Sequence, residues 1–372
     1  VAHAEKEADT GPGVLAWLLV NSLDLRNGTV TYRDELLLPE APPLAVEALD
    51  LTVKDLSLSK PVTLNLDAGV FKSSGQNLHL AGVVGPMGDT LVADRIPFQI
   101  SCKLDPLPWD AVPHEVRTRA MTGSPYRVLN GSLRWDLVAE GSLQDGVRTR
   151  AECHLDDAVF QKSEVDGTET RTGRIQLALT EVAVLNHPEQ TLEIESAGIS
   201  LNGNRVLMQG RVENYLEAPR WDLDLRTEGL DPNALVVLLP IVTAGMPEEM
   251  YFEGPMEIRL HTDGNLEAMQ WDAIAEMNQL KVQLRDQFHK AAGIPLSLTC
   301  KGSRKGARID VQELQLHLHH LVLIASGEVM TGDQTRFGFL ANSRPVDLKG
   351  WGSLLPALSD TRLDGSFLMR IS

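Results

Sequence analysis

"RVLMQGRVENYLEAPRWDLDLRTEGLDPNALVVLLP", residues 205–240, contains the two patterns from which we predict the fold of this chain. The part "WDLDLRTEG" (221–229) alternates apolar and polar residues, which is typical of a β-strand with one buried face. The last part has Asp231 as an N-cap, Pro232 at the first helical position and Pro240 as a stop, so it predicts a two-turn buried helix. Its apolar run, 234–242, is too short for a membrane-spanning helix, which needs about 20 residues.

The same alternation extends along most of the chain. It occurs in "DLSLSKPVTLNLDAG" (55–69), "GRIQLALTEVAV" (173–184), "MEIRLHTDG" (256–264), "QLKVQLRD" (279–286) and "LQLHLHHLVLIASG" (314–327). Turn-forming clusters such as "NGNR" (202–205) and "TGDQ" (331–334) separate these segments. Because short turns of this kind join neighbouring strands, we predict a chain of mainly antiparallel β-hairpins.

A set of landmarks recurs in the same order along the chain, which indicates an internal repeat. "RVLMQG" (205–210), "LDP" (230–232), "LLP" (238–240) and "GPMEIRL" (254–260) return as "VLIASG" (322–327), "VDL" (346–348), "LLP" (354–356) and "GSFLMRI" (365–371). A fainter copy precedes them as "NLHLAG" (77–82), "LDP" (104–106), Pro113 and "GSLRWDL" (131–137). The glycine precedes the aspartate by 23, 21 and 20 residues, at 82 to 105, 210 to 231 and 327 to 347, so the copies keep their register.

These landmarks predict a mainly β fold of about three repeats, at 21–141, 142–266 and 267–372, after a linker or edge segment at 1–20. Two architectures fit: separate β-sandwiches in series, or one elongated curved antiparallel sheet whose apolar face forms a groove. Periodicity alone does not separate them. Aromatic residues make up only 5% of the chain and no polar linker divides the copies, which favours the continuous groove, with the short helices as plugs over apolar sheet ends.

Composition limits the classes of partner. The chain carries 34 Lys plus Arg against 51 Asp plus Glu, a net charge of −17, so we expect no nucleic-acid partner. A hydrophobic fraction of 43% predicts a folded body. Cys102, Cys153 and Cys300 lie far apart and predict neither a zinc ribbon nor a disulfide framework, and they leave the compartment open. The chain starts at Val1 with a polar, linker-like segment, so we expect any signal or membrane anchor to lie outside it.

Five segments together resemble the AsmA family of Gram-negative envelope proteins. They are "LDLRNGTVTYRD" (23–34), "LDLTVKDLSL" (49–58), "NLHLAGVVGP" (77–86), the 207–240 passage and "SRPVDLKGWGSLLP…LDGSF" (343–367). The resemblance implies the periplasmic β-groove of a protein tethered to the inner membrane. It also implies a role in phospholipid transport between the two membranes and in outer-membrane biogenesis. The family's N-terminal transmembrane helix is not present in this sequence.

Motifs that would indicate enzymatic chemistry are weak, so we expect no enzyme, no cofactor and no metal site. His317 and His319 share a strand face by alternation, but no third ligand lies near them in sequence. Cys153 and His154 are adjacent in a strand and therefore point to opposite faces. The acidic pairs at 156–157 and 248–249 lie beside turns, where solvated acids are common.

The candidate functional surface is the apolar face of the strands, as a groove that shields the acyl chains of a phospholipid or another lipid. Two alternatives remain open: a closed dry core, and a scaffolding protein that assists envelope assembly without carrying lipid. The candidate lipid-binding residues are Leu56, Leu58, Leu64, Leu66, Ile175, Leu177, Leu179, Val282, Leu284, Leu314, Leu316 and Leu318.

Overall fold

The structure is a computed structural model that describes residues 20–32, 44–71, 73, 75–88, 92–114, 117, 126–163, 169–171, 174–232, 250–331, 336–361 and 364–371. The prediction of a mainly β, antiparallel fold is confirmed. Contacts divide the chain into two compact units. Unit 1 comprises residues 1–174 and 184–188, and unit 2 comprises residues 175–183 and 189–372. The division into three repeats stays a prediction.

In unit 1, seven strands follow one another in an antiparallel meander, each hydrogen-bonded to the next. A short eighth strand pairs with the end of the seventh. The strands are β1 (Val20–Tyr32), β2 (Leu44–Leu56), β3 (Val62–Val70), β4 (Leu78–Val84), β5 (Phe98–Pro108), β6 (Tyr126–Ser142), β7 (Gly146–Ser163) and β8 (Glu169–Arg171). Strand β9 (Ile175–Asn186) contributes residues to both units.

Unit 2 repeats this meander over ten further strands of antiparallel sheet. They are β10 (Thr191–Leu201), β11 (Asn204–Glu213), β12 (Arg220–Glu228), β14 (Glu257–Gly264), β15 (Ala268–Glu276), β18 (Leu296–Lys305), β19 (Arg308–Leu318), β20 (Leu321–Met330), β21 (Arg336–Ser343) and β24 (Arg370–Ile371). The remaining strands form two small sheets: β13 (Met250–Glu253) with β16 (Lys281–Leu284) and β17 (Phe288–Lys290), and β22 (Val346–Asp347) with β23 (Ser366–Phe367).

The landmark glycines of the three repeats occupy equivalent positions in this strand order. Directly opposite each glycine, on the following strand, lies a large apolar residue. A Cβ added to any of the three glycines would crowd a backbone carbonyl of that following strand. The opposed pairs are Gly82 with Ile100, Gly210 with Leu223, and Gly327 with Phe339. Close approach of the neighbouring backbone therefore explains why the sequence repeats a glycine here.

We expect Gly210→Ala to lower the free energy of unfolding by about 2–3 kcal/mol. The backbone φ angle of Gly210 is +140°, a value that residues with a side chain rarely adopt. An added Cβ would also overlap the carbonyl oxygen of Asp222. Chemical denaturation of the purified protein measures the change. Gly338→Ala is the control, because a Cβ there meets no atom within 4 Å. Equal stability of the two variants would contradict the close approach at Gly210.

In sequence, each predicted plug comes after the strand that follows the landmark glycine, and before the next strand of the large sheet. In the first copy, residues 109–111 form a 3-10 turn with Trp109 buried, and the Trp109 Nε1 donates a hydrogen bond to the Val128 carbonyl at 3.1 Å. In the last copy, 3-10 turns at 351–353 and 356–358 flank the fully buried Leu354. The two-turn helix predicted after Asp231 lies, from residue 233 onward, outside the described residues.

The sheet of β13, β16 and β17 contains a fully buried lysine. The Nζ of Lys290 donates hydrogen bonds to the carbonyl oxygens of Leu280 at 2.6 Å, Asn278 at 3.1 Å and Ala291 at 3.3 Å. Burial lowers the pKa of Lys290, because desolvation disfavours its charged form. All three protons of the ammonium group thus have backbone acceptors, and the lysine joins the turns around β17.

Candidate functional site

In unit 1, the apolar residues of successive strands lie directly opposite one another and form continuous rows. Direct cross-strand partners share one face of a sheet. One row is apolar at every position from β1 to β7: Leu25, Leu51, Leu66, Leu80, Cys102, Leu137 and Ala151. The next row on the same face contains Leu23, Val53, Leu64, Gly82, Ile100 and Ala139, and ends at Thr149.

Unit 2 has the same kind of surface over more strands. Its central row crosses ten strands and is again apolar at every position: Ala197, Met208, Leu225, Leu260, Ala273, Cys300, Leu314, Ala325, Ala341 and Ile371. A neighbouring row on this face continues through Ile258, Ala275, Leu298, Leu316 and Leu323. We call these surfaces the apolar faces of unit 1 and unit 2.

Many side chains of the apolar face of unit 1 retain access to solvent. Leu23 and Leu25 are 52% and 44% exposed, and Leu137 is 38% exposed. Leu64 and Leu66 are half-buried rather than buried. In a closed sandwich core such residues would lose almost all contact with water. In the described part of unit 1, the apolar face is therefore partly open.

The opposite face of each sheet is polar and carries cross-strand ion pairs. In unit 1 the His79 Nδ1 lies 2.6 Å from the Asp67 Oδ1 of β3, and its Nε2 lies 3.2 Å from the Asp105 Oδ2 of β5. The pKa of His79 is raised, chiefly by its hydrogen bond to Asp67. In unit 2 the Lys301 Nζ lies 3.0 Å from the Asp272 Oδ2. One face of each sheet is thus built for water, which leaves the other face for apolar contacts.

The structure places the candidate residues in five settings. Leu64, Leu66, Leu314 and Leu316 lie on the apolar faces described above. Leu318 lies opposite Leu296 and Leu321 at the end of β19. Leu56 ends β2 and Leu58 follows it.

The other candidates lie elsewhere. Ile175, Leu177 and Leu179 alternate along β9, where Ile175 is buried and Leu179 is 41% exposed. Val282 and Leu284 belong to the small sheet of β13, β16 and β17, not to a long row, and Val282 is buried. The structure thus brings together only part of the predicted set.

Sequence reasoning missed several members of the apolar faces. Leu51, Leu80 and Ile100 in unit 1, and Met208, Leu225 and Leu260 in unit 2, belong to the rows but not to the candidate set. Their signal was present in the same period-two alternation, for example at Leu223 and Leu225 of "WDLDL". The missing information was the register that aligns one strand's apolar positions with the next.

The histidine and cysteine motifs have defined positions. Strand β19 ends at Leu318, and His319 follows with φ +52, so the alternation that would place His317 and His319 on one face stops before His319. The His319 ring lies against the His320 ring, with centroids 3.9 Å apart and the ring planes tilted by 36°. Cys153 lies opposite Trp135 and His154 opposite Arg134, on the two faces of β7. The three cysteines are free, and burial raises the pKa of the Cys153 thiol.

Unit 2 also contains a cavity of about 490 Å³ along β10, β11, β12, β14 and β15. Its lining includes Met208, Leu225 and Leu260 of the apolar row, together with Arg226 and Arg259.

Within the part of the chain that the structure describes, no helix has the length and apolarity to cross a membrane. Comparisons with protein-family models, with curated proteins and with solved structures find no match to this chain.

Proposed function

We propose that this chain shields the acyl chains of phospholipids on its apolar faces, as the periplasmic groove of an AsmA-like protein that moves lipid between the inner and outer membranes. The observation that carries the proposal is the row that stays apolar across all seven strands of the meander in unit 1, with members that are still partly exposed. A surface of this kind is unusual on a protein without an apolar ligand or partner.

The dimensions of the rows suit an acyl chain. Neighbouring strands lie about 4.8 Å apart, so a row across seven strands is about 29 Å long. One leaflet of a bilayer contributes about half of the ~30 Å hydrocarbon core, so the row is longer than one acyl chain. Acyl chains offer no hydrogen-bond partners, and the rows of aliphatic side chains require none. Each square ångström of apolar surface removed from water contributes about 25 cal/mol. An extended chain lying across the strands would therefore be held by area alone.

We expect Leu66→Asp and Leu316→Asp to remain folded and to lose roughly tenfold or more of the phospholipid that co-purifies with the parent chain. Leu66 and Leu316 are half-buried, so a carboxylate at either position can reach water and the fold survives, but it leaves an unpaired charge against any acyl chain. Native mass spectrometry measures the lipid, and circular dichroism verifies the fold. Asn65→Asp and Gln315→Asp are matched controls, because these neighbours lie on the opposite face of the same strands.

Loss of folding in both leucine variants, together with no lipid on the parent chain, would contradict the proposal and favour a dry core. A second measurement uses the native cysteines. Cys102 and Cys300 lie within the apolar rows of unit 1 and unit 2. Phospholipid added in vesicles or mixed micelles should slow alkylation of both thiols. An unchanged alkylation rate at saturating lipid would show that the rows are not the binding surface.

One observation favours the second candidate function, a scaffold that assists envelope assembly without carrying lipid. Near the last strand pair of unit 2, Phe337 is 77% exposed and Leu340 is 55% exposed. Exposed large apolar residues can contact a protein partner. If Phe337→Lys abolished the role of the protein in envelope assembly in cells while its lipid binding stayed intact, the scaffolding function would be favoured over the lipid-carrying function.

A further inference from the structure

Two arginines lie directly opposite each other in unit 2. Arg226 of β12 is the register partner of Arg259 of β14. On the same face, Leu207 lies opposite Arg226 and Ile274 lies opposite Arg259, so the row has two cations between two apolar residues. Like charges directly opposite in a sheet destabilise it unless something neutralises them.

Neighbouring carboxylates do not neutralise the two arginines well. The Arg226 Nη2 lies 3.9 Å from the Glu228 Oε1, and the same carboxylate binds the Arg205 Nη1 at 3.3 Å. Arg259 makes no side-chain hydrogen bond or ion pair with any residue that the structure describes. At least one guanidinium group is therefore available to a ligand.

Two acidic residues, Asp224 and Asp272, also line the cavity, and the Asp272 Oδ1 is buried without a hydrogen-bond partner among the described residues. The Asp224 Oδ1 lies 3.0 Å from the His261 Nδ1, and the Asp272 Oδ2 lies 3.0 Å from the Lys301 Nζ. Both aspartates are register neighbours of His261 in the adjacent row. Within the described residues, neither aspartate forms an ion pair with Arg226 or Arg259.

These residues line the cavity of about 490 Å³ in unit 2. Its lining includes Arg226, Arg259 and His261 as well as the apolar Leu207 and Ile274. Sites for small molecules usually have about 300–1,000 Å³ and combine apolar walls with a few polar groups that fix the orientation. The cavity thus offers both a cationic pair and apolar contacts to the same ligand.

We propose that Arg226 and Arg259 form a binding site for a phosphate group. A guanidinium group presents its N–H donors as a planar fork that matches two phosphate oxygens, and an anion between the two forks would relieve their repulsion. The apolar residues Leu207 and Ile274 would contact a short hydrocarbon part attached to the phosphate. The two arginines alternate along their strands with Leu225 and Leu260 and therefore lie on the face opposite the apolar row, although both leucines also line the cavity. The phosphate site belongs to the arginine face and does not require acyl-chain binding by the apolar rows.

Calorimetric titration tests the site with three probes: octyl phosphate below its micelle concentration, inorganic phosphate, and octyl glucoside as the uncharged amphiphile. We expect octyl phosphate to bind the parent chain and to bind Arg226→Gln/Arg259→Gln at least about tenfold more weakly. Arg226→Lys/Arg259→Lys keeps the charge without the fork and should bind with intermediate affinity. Arg336→Gln is the charge-matched control for the single variant Arg259→Gln, since each removes one exposed cation and Arg336 lies in β21, outside the cavity lining.

The source of the phosphate follows from the relative affinities. Tighter binding of octyl phosphate than of inorganic phosphate would assign the site to a phosphate-bearing amphiphile, and equal binding would assign it to free phosphate. Both results support the site. Equal binding of octyl glucoside, no binding of either phosphate probe, or an unchanged affinity in the double glutamine variant would overturn it. If that variant does not fold, Arg259→Gln alone supplies the comparison, because Arg259 has no described partner to lose.

Discussion

Replacing Lys290 with methionine should lower the free energy of unfolding by about 1–3 kcal/mol. Methionine fills a similar volume, but it removes a donor to the carbonyl oxygens of Leu280, Asn278 and Ala291. The Asn278 and Ala291 oxygens also accept backbone N–H groups, from Gly293 at 2.8 Å and Ile294 at 3.4 Å, so the main loss falls on the buried Leu280. A buried acceptor that loses its partner keeps the cost of desolvation, about 1–3 kcal/mol, and part of this cost is offset because the folded chain no longer has to bury a charge.

Urea denaturation of the parent and the Lys290→Met variant measures this effect. Lys281→Met is the matched control in the same small sheet: Lys281 is exposed, and its Nζ pairs with the Glu253 Oε1 at 2.9 Å. Exposed ion pairs contribute about 0–1 kcal/mol, so the control should unfold almost as the parent does. Similar losses at the two lysines would show that the three carbonyl contacts of Lys290 do not hold the turns around β17.

Leu354→Asp should lower the free energy of unfolding by about 3–5 kcal/mol, and the variant should yield little soluble protein. Leu354 is fully buried between the two 3-10 turns of the last plug, and its carbonyl accepts a hydrogen bond from the His289 backbone N–H at 2.8 Å. The plug therefore contacts β17, and an aspartate at this buried position would lose its contact with water. Thermal unfolding of the two chains measures the loss.

Ala357→Asp provides the control for this plug, because Ala357 is exposed three residues further along the chain. It should leave the unfolding temperature within a few degrees of the parent. An equal loss of stability in both variants would show that the substitutions disrupt the 3-10 turns, and that burial of a charge is not the cause. By the repeat register, Leu238 is the counterpart of Leu354, so Leu238→Asp is predicted to be costly as well, although Leu238 lies outside the described residues.

Much of the fold was predictable from local sequence. Period-two alternation predicted the strands, because successive side chains of a strand point to opposite faces whatever the neighbours are. It therefore identified Leu64, Leu66, Leu314 and Leu316 as members of one-sided apolar faces. The repeated glycines at 82, 210 and 327 were also visible, and their close contact with the next strand is the physical reason for their recurrence.

The sequence by itself thus determined the strands, their turns and the side of each strand that avoids water, since these depend on residues a few positions apart. Only the tertiary structure decided which strands are neighbours. That is why Val282 and Leu284, which alternate as the others do, lie in the small sheet. It is also why Arg226 and Arg259 meet, and why three carbonyls converge on Lys290. Such pairings join residues distant in sequence, and their register is set by the packing and hydrogen bonding of whole strands, which no local pattern encodes.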